Sequence, residues 1–309
     1  MTKVDLITGF LGAGKTTFLK GCADFLNRRG ISYAIVENEF GKSGIDSAIL
    51  KQEGTHVTEL TGGCICCGLK VGFYTLLQEL AESGKYDRIL VEPSGIFNLD
   101  DYFDVVGSLA ERKILEIGTI ATILDPECVV SSDPLIREML FSHLHSTGTV
   151  LISKLSDSGE THKPDYAEAV DGIFDDFGLT RSEEQPVIAM PWEKLTDRDY
   201  EELFRRPPVC LNHERKVYDH TALFRSAAFV PKRGYGIAEL EEMLKAVFGR
   251  KYGSVLRAKG YVRGENGAVL EVNCTADSIS IREASDVPVG LNLIGQNINR
   301  AGVKELFQM

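Results

Sequence analysis

The sequence has no excess of basic residues, no long hydrophobic segment and no recognisable export signal. Its 309 residues carry 34 Lys and Arg against 45 Asp and Glu, a net charge of −11 at pH 7. This balance argues against nucleic acid or an anionic membrane surface as the main partner. No apolar run approaches the roughly 18 residues that a membrane-spanning helix requires. The N-terminal strand lacks a basic leader and a cleavage site, so we expect no signal peptide.

Repeats and low-complexity segments are also lacking, and the cysteine count is odd. Seven cysteines without an export signal favour reduced thiols, which predicts a cytoplasmic protein. With 43% apolar residues, the chain is long enough to bury a full core and to divide into two domains. The composition therefore indicates a globular, acidic, two-domain protein.

Residues 9–17 read Gly-Phe-Leu-Gly-Ala-Gly-Lys-Thr-Thr, the GxxxxGK[ST] pattern of a phosphate-binding loop (P-loop). An apolar strand precedes this segment and an amphipathic helix follows it, which disfavours a glycine-rich turn without a ligand. In such a loop the backbone N–H groups surround an anion, the lysine contacts the β- and γ-phosphates, and the first threonine binds Mg²⁺. The residues predicted to bind the nucleotide here are Gly9, Gly12, Ala13, Gly14, Lys15, Thr16 and Thr17.

Apolar strands alternate with helices as far as residue 190. This order predicts an α/β fold, with a Rossmann-like parallel sheet covered by helices on both faces. The predicted strands are 3–8, 32–37, 56–60, 86–92, 119–125, 149–154 and 186–190. Ligands of such sheets bind at the carboxyl ends of the strands, and the polar motifs lie at those ends. We therefore expect them to form one site.

The C-terminal part has a different pattern. Residues 207–220 are predicted to be a linker between a P-loop domain (1–206) and a smaller domain (221–309). Five strands and two helices are predicted beyond the linker, in segments 222–229, 237–248, 255–263, 268–273, 278–282, 290–294 and 301–307. Mostly antiparallel strands with one or two helices indicate an α+β domain.

Cys64, Cys66 and Cys67 place three thiols within four residues, flanked by glycines. Three converging thiolates suit Zn²⁺, Cu(I) or another thiophilic ion, and they leave a fourth coordination position open. The alternatives are a redox-active cluster or small buried residues. We interpret the other four cysteines as core residues: Cys22, Cys128, Cys210 and Cys274.

Three acidic residues lie at the ends of predicted strands or just beyond them. Glu37 and Glu39 are expected to reach Mg²⁺ through water or to join the thiol site; the alternative is a solvated acidic loop. Glu92 ends a buried strand, where a carboxylate is costly unless it is paired or near a cation. We expect it to contact the Mg²⁺ site or to order the attacking water, the alternative being a helix cap.

Two further features carry weaker signals. His143 and His145 do not share a helix face, and we interpret them as surface residues at a helix end rather than as ligands. Trp192 follows the last strand of the sheet. It either flanks the nucleobase or packs at a domain interface, and packing is favoured.

Together these motifs resemble the CobW-like family of P-loop GTPases, relatives of cobalamin-synthesis proteins that act as metallochaperones. The N-terminal segments that carry the resemblance are 9–17, 38–41, 44–46, 63–67 and 92–95. Residues 256–260 and 294–297 match the family's C-terminal half more loosely. The cysteine motif makes the resemblance more specific than the P-loop alone.

The resemblance implies a slow GTPase that uses Mg²⁺, binds GTP and GDP, and couples the nucleotide state to holding or releasing Zn²⁺ or Co²⁺. The implied partner is a client metalloprotein or a corrinoid-related protein, and the chain is expected to be a monomer or a weak homo-oligomer. The expected catalytic residues are Lys15, Thr16, Glu39 and Glu92. The expected metal ligands are Cys64, Cys66, Cys67, Glu37, Glu39 and Thr16.

The sequence departs from the family pattern at the guanine-binding NKxD motif. It reads Ser153-Lys154-Leu155-Ser156-Asp157, so Lys154 is in place and the nearest carboxylate is one residue late. We expect Ser153, Lys154 and Asp157 to contact the base, with ATP not excluded. The chain also lacks a histidine-rich segment. The rival functions are a P-loop ATPase or kinase with structural cysteines, and a non-catalytic nucleotide-binding metal sensor.

Overall fold

The computed structural model describes residues 1–10, 12–37, 56–59, 70–93, 95, 99–155, 165–209, 225–275, 279–284 and 289–308. The described elements fall into two compact units, one before residue 210 and one after residue 224. Most of the predicted linker lies outside the described residues, so the predicted domain bounds stay a prediction.

The first unit has seven strands and seven helices among its described residues. In chain order these are β1 (Lys3–Gly9), α1 (Lys15–Arg29), β2 (Tyr33–Glu37), β3 (His56–Glu59), α2 (Lys70–Glu82), β4 (Arg88–Glu92), α3 (Leu99–Glu111), β5 (Glu116–Leu124), α4 (Pro126–Val129), α5 (Pro134–Leu144), β6 (Thr149–Ile152), α6 (Tyr166–Asp175), β7 (Val187–Ile188) and α7 (Asp197–Arg205). A 3₁₀ turn at Trp192–Lys194 precedes α7. All seven predicted strands form, with ends that differ by a few residues.

The strands form one sheet in the order β3-β2-β4-β1-β5-β6-β7, and every neighbouring pair is parallel. Alternate residues of a strand face opposite sides. Ile35 and Leu90 pack in the core with α1 and α7, whereas Val36 and Val91 pack in the core with α2 and α3. Because both faces are covered, the strands are apolar along their length. The predicted α/β fold is confirmed.

A buried ion pair lies near the amino ends of the central strands. Asp5 is fully buried and accepts two hydrogen bonds of 2.8 Å from Nη1 of Arg88 and one of 2.9 Å from the Thr119 N–H. Nη2 of Arg88 donates to the carbonyl oxygen of Phe204, and the guanidinium lies 4.5 Å from the centre of that ring. Burial raises the pKa of Asp5, although Arg88 opposes the shift. Through the contacts of Arg88 with Phe204, the ion pair connects α7 to the sheet.

The second unit contains an antiparallel sheet. Its elements are β8 (Arg225–Phe229), β9 (Gly234–Tyr235), α8 (Ile237–Val247), β10 (Ser254–Gly264), β11 (Val269–Cys274), β12 (Ile279–Ala284), β13 (Gly290–Gln296) and α9 (Arg300–Leu306). The sheet order is β12-β11-β10-β13-β8, and the short β9 pairs with β10 in parallel. The predicted α+β architecture is confirmed. Strand β9 was not predicted because two residues carry no periodicity.

Among the described residues, no helix has both the length and the hydropathy needed to cross a membrane.

Candidate functional site

The P-loop connects β1 to α1 through three glycines with positive φ. The φ angles of Gly9, Gly12 and Gly14 are +137°, +75° and +98°. A Cβ atom on Gly9 would lie 2.1 Å from the carbonyl oxygen of Ile123, so only glycine fits there. Left-handed backbone at each glycine allows the chain to turn sharply between strand and helix. The glycines of the GxxxxGK[ST] pattern therefore lie where the backbone of the loop has positive φ angles.

The side chain of Lys15 folds back onto the start of this loop. Its side chain is nearly buried, and Nζ donates hydrogen bonds to the carbonyl oxygens of Gly9 at 3.0 Å and Phe10 at 3.2 Å. Lys15 is also the first residue of α1, where the helix dipole places partial positive charge. An ammonium group and a helix N-terminus at one place create a site for a phosphate anion.

Thr16 connects the loop to the carboxyl end of β4. Its Oγ1 donates a hydrogen bond of 2.9 Å to Oε1 of Glu92, the last residue of that strand. Glu37 ends the neighbouring strand β2 in register with Glu92, and Glu59 ends β3 in register with Glu37. Acidic residues therefore end three adjacent strands at the edge of the sheet where the P-loop also begins.

These groups fit a magnesium ion. When Thr16 donates its proton to Glu92, lone pairs on the hydroxyl oxygen stay available to a cation. Hydroxyl and carboxylate oxygens are hard ligands of the kind that Mg²⁺ prefers. Glu37 is only 8% exposed, so its interpretation as part of a solvated loop is wrong.

The end of β6 is anchored to the end of β5. The backbone N–H and the Oγ hydroxyl of Ser153 both donate to the carbonyl oxygen of Leu124, at 2.9 and 3.1 Å. Lys154 has a positive φ of +56°, and its Nζ forms an ion pair with Asp125. The Asp125 carboxylate also accepts a hydrogen bond from the Glu127 N–H, which caps α4. The lysine of the altered NKxD segment is thus oriented by an acidic neighbour that the sequence motif does not include.

Trp192 lies against the start of α1. Its ring meets Phe18 edge to face, with centroids 5.3 Å apart and an interplanar angle of 63°. Its Cη2 atom lies 3.0 Å from where a Cβ atom on Gly14 would be. Both partners belong to the first unit. Packing at a domain interface was the favoured interpretation of Trp192, whereas these contacts lie within the first unit, and contact with the P-loop was not predicted.

The interpretation of His143 as a surface residue is wrong. The side chain is fully buried, and its Nδ1 lies 2.9 Å from the Thr8 hydroxyl. The Thr122 hydroxyl donates to its backbone oxygen at 2.8 Å. Helix periodicity did not indicate that the end of α5 packs onto β1 and β5. His145 is partly exposed and stacks on Phe141.

Several predicted site residues lie outside the described residues: Glu39, Cys64, Cys66, Cys67 and Asp157. Their assignments stay predictions. Within the described ranges, no three His, Cys, Asp or Glu side chains are close enough together to hold a metal ion. Cys22 and Cys274 are buried as predicted, Cys128 is half-buried, and Cys210 is outside the described ranges.

The family follows from a comparison with protein-family models. A model described as "CobW/HypB/UreG, nucleotide-binding domain" matches residues 3–171, more than half of the chain. The chain belongs to this family. The matched segment includes the P-loop, the cysteine cluster, Glu92 and the end of β6.

Curated members of the family align over part of their length. The zinc chaperone YeiR of Escherichia coli is 32% identical over 158 residues, which are 50% of this chain and 47% of YeiR. The zinc chaperone CobW of Pseudomonas aeruginosa is 44% identical over 139 residues, 41% of this chain and 36% of that protein. The chain thus spans about half the length, or less, of these curated relatives. The crystal structure of the Zn(II)-bound YjiA GTPase from E. coli aligns with 99% of this chain and 98% of its own, at 17% identity and a TM-score of 0.39.

Proposed function

We propose that this chain is a GTP-binding and GTP-hydrolysing metallochaperone, which couples its nucleotide state to binding and delivery of Zn²⁺ or Co²⁺ to a client protein. The observation that carries the proposal is the arrangement at the sheet edge. The P-loop, the Thr16–Glu92 hydrogen bond and the end of β2 lie together there, and the cysteine cluster begins at residue 64, shortly after β3 ends at Glu59. The zinc-chaperone names of the curated relatives support the choice of cargo.

In this proposal the described residues bind and orient the nucleotide. The P-loop amides and Lys15 hold the β- and γ-phosphates, and the N-terminus of α1 adds favourable dipole charge. Thr16 would hold Mg²⁺, with Glu92 fixing its hydroxyl. The ion supplies charge neutralisation as the terminal phosphate leaves. P-loop GTPases hydrolyse GTP slowly unless an arginine is supplied to the transferring phosphate, and the mechanism proposed here uses none, so we propose a switch rather than a fast metabolic enzyme.

The strand order supports coupling between the nucleotide and the metal cargo in this proposal. Residues 38–46 continue from β2, which lies between β4, with Glu92, and β3, which leads towards the cysteine cluster. A nucleotide that biases residues 38–46 will change metal affinity only if the metal binds one nucleotide state better than the other. Free thiolates persist best under reducing conditions, so we propose that the activity takes place in the cytoplasm.

The test is a titration of the reduced protein with Co²⁺ and then Zn²⁺, followed by thiolate-to-cobalt charge-transfer absorption. It is run with Mg²⁺ and a non-hydrolysable GTP analogue, with GDP, and with the matching ATP analogue. Cys66→Ala removes one proposed ligand, and Cys128→Ala is the matched control outside the cluster.

We expect tight binding that depends on Cys66, is insensitive to Cys128, and differs between the GTP and GDP forms. Equal metal affinity in every nucleotide state would remove the coupling. Transfer of the γ-phosphate to an acceptor other than water, unchanged when Zn²⁺ and Co²⁺ are chelated in the presence of excess Mg²⁺, would instead identify a kinase with structural cysteines.

A further inference from the structure

The chain has a single tryptophan, and its ring lies against the P-loop. Trp192 belongs to the 3₁₀ turn between β7 and α7, far in sequence from residues 9–17. Neither the phosphate-loop motif nor the proposed mechanism assigns it a role. Its position therefore needs its own explanation.

The ring contacts the last residue of the loop and the first turn of the helix at once. Gly14 is the N-cap residue of α1, with φ +98°, ψ 19° and no side-chain capping bond. Cη2 and Cζ3 of Trp192 lie 3.0 and 3.5 Å from where a Cβ atom on Gly14 would be, and Cβ of Ser153 lies 3.7 Å from the same point. Phe18, four residues further on, packs against the same indole in an edge-to-face arrangement. Gly14 is thus enclosed between the indole and the end of β6.

Packing holds the indole in this position. Its Nε1 atom is covered, and it has no hydrogen-bond partner within the described parts of the chain. If a hydrogen bond from the indole N–H fixed the position of the ring, a buried acceptor would lie beside that nitrogen. A flat apolar ring of smaller size, such as phenylalanine, should therefore retain much of the contact.

We propose that Trp192 is a positioning residue for the P-loop, which keeps Gly14 and the first turn of α1 in the arrangement that binds the nucleotide's phosphates. The proposal rests on the nucleotide binding proposed above. Gly14 can adopt many backbone conformations because it has no side chain. A rigid ring against it limits that freedom, so fewer conformations must be lost when a phosphate binds.

A role in positioning the phosphates differs from a role in flanking the base. If Trp192 acts on the P-loop, its loss weakens the binding of GTP, GDP and ATP by the same factor, because all of them contact the loop through phosphates. If the ring stacks on the base, its loss changes the ratio of GTP affinity to ATP affinity. This ratio separates the two roles.

The experiment compares Trp192→Leu, Trp192→Phe and the matched control Tyr200→Leu. Tyr200 packs on the same helix at Gly21 and stacks on Phe25 at 5.4 Å and on Phe18 at 6.0 Å, but none of the three atoms nearest to a Cβ on Gly14 belongs to it. It therefore shares the Phe18 contact of Trp192 and lacks the contact with Gly14. Affinities for Mg²⁺ complexes of GTP, GDP and ATP are measured by isothermal titration calorimetry, and stability is measured by urea unfolding. In the wild type, intrinsic fluorescence of the only tryptophan is followed during GDP titration.

We expect Trp192→Leu to weaken the binding of all three nucleotides by roughly tenfold, because the backbone freedom regained at Gly14 must then be lost on binding. Trp192→Phe should recover most of the affinity. Tyr200→Leu should lower stability and leave nucleotide affinity within about twofold of the wild type, because the Trp192 contact that encloses Gly14 is kept. Tryptophan fluorescence of the wild type should change during the GDP titration, and the affinity fitted to this change should equal the affinity measured by calorimetry.

Unchanged affinity in Trp192→Leu, or equal losses in Trp192→Leu and Tyr200→Leu, would overturn the positioning role. A changed ratio of GTP to ATP affinity would overturn it in favour of base stacking. If the wild type binds none of the three nucleotides, the proposed function itself fails, and this is seen before any variant is compared.

Discussion

The Thr16 hydroxyl donates a hydrogen bond of 2.9 Å to Oε1 of Glu92, joining the first turn of α1 to the carboxyl end of β4. The two residues are 76 positions apart in the chain. The contact gives the threonine of the P-loop an acceptor for its proton and brings a carboxylate beside the expected Mg²⁺ position. The parallel register also places Glu37 next to Glu92.

Replacing Glu92 with glutamine tests this contact. The amide oxygen still accepts from Thr16, but the negative charge is lost, so Mg²⁺ is held less well. We expect a rise in the Mg²⁺ concentration needed for GTP hydrolysis and a fall in kcat of roughly 10- to 100-fold, the scale of lost electrostatic stabilisation. Steady-state hydrolysis over a range of Mg²⁺ concentrations measures both. The control is Glu116→Gln, which removes an exposed carboxylate at the amino end of β5; an equal effect there would refute the assignment.

The ion pair between Lys154 and Asp125 should contribute more to binding of the nucleobase than to the stability of the fold. Asp125→Asn keeps an oxygen to accept from the Glu127 N–H but removes the charge that orients Lys154. The Lys154 side chain is more than half exposed, so the loss in stability should stay below about 1 kcal/mol. We expect GTP affinity to fall several-fold while urea unfolding barely changes. A large fall in stability with unchanged GTP affinity would contradict this expectation.

Breaking the buried pair of Asp5 and Arg88 should destabilise the first unit. Arg88→Met leaves Asp5 buried without its cation, which costs about 3–5 kcal/mol in comparable pairs. The double variant Asp5→Leu with Arg88→Met removes the stranded charge and should recover much of that loss, as measured by urea unfolding. A double variant less stable than the single one would show that the pair, rather than the stranded charge, sets the stability.

The same site gives a prediction about pH. Burial raises the pKa of Asp5, and without Arg88 nothing within the pair opposes that rise. A carboxyl whose pKa is raised in the folded state lowers stability as pH rises through that pKa. The Arg88→Met variant should therefore become more stable relative to the wild type as pH falls from 8 towards 5. Urea unfolding at several pH values measures this difference, and a difference independent of pH would refute it.

A capping box lies at the start of α7. Its removal should lower the stability of the protein by a small amount that depends on pH. Thr196 accepts from the Asp199 N–H, and the Asp199 carboxylate accepts from the Thr196 N–H and hydroxyl. Those bonds lower the pKa of Asp199 from 3.8, so the stability they contribute is present above that value and lost as pH falls below it. Thr196→Ala should cost about 1 kcal/mol at pH 7. Thr75→Ala, in the exposed face of α2, serves as the control and should cost less.

Much of the first unit could be predicted from local sequence. The P-loop has positive φ angles at Gly9, Gly12 and Gly14, and the glycine spacing that permits them is visible in nine consecutive residues. The pattern of apolar strands and amphipathic helices is also local. Strand ends were less accurate because a strand stops where its hydrogen-bonding neighbour stops, as at β7, where two residues pair with β6. The assignments of Glu39, Asp157 and the three clustered cysteines stay predictions.

Local sequence was enough to predict the order of the elements, the P-loop and the carboxyl ends of the strands as the location of the site, because these depend on residues close together in the chain. The pairing of residues distant in the chain became visible in the folded protein alone: Thr16 with Glu92, Lys154 with Asp125, and Trp192 with Gly14. His143 shows the same limit, since its burial depends on how α5 packs against β1. Periodicity records which face of an element is apolar, but contacts between elements depend on register and packing, which no short segment of sequence contains.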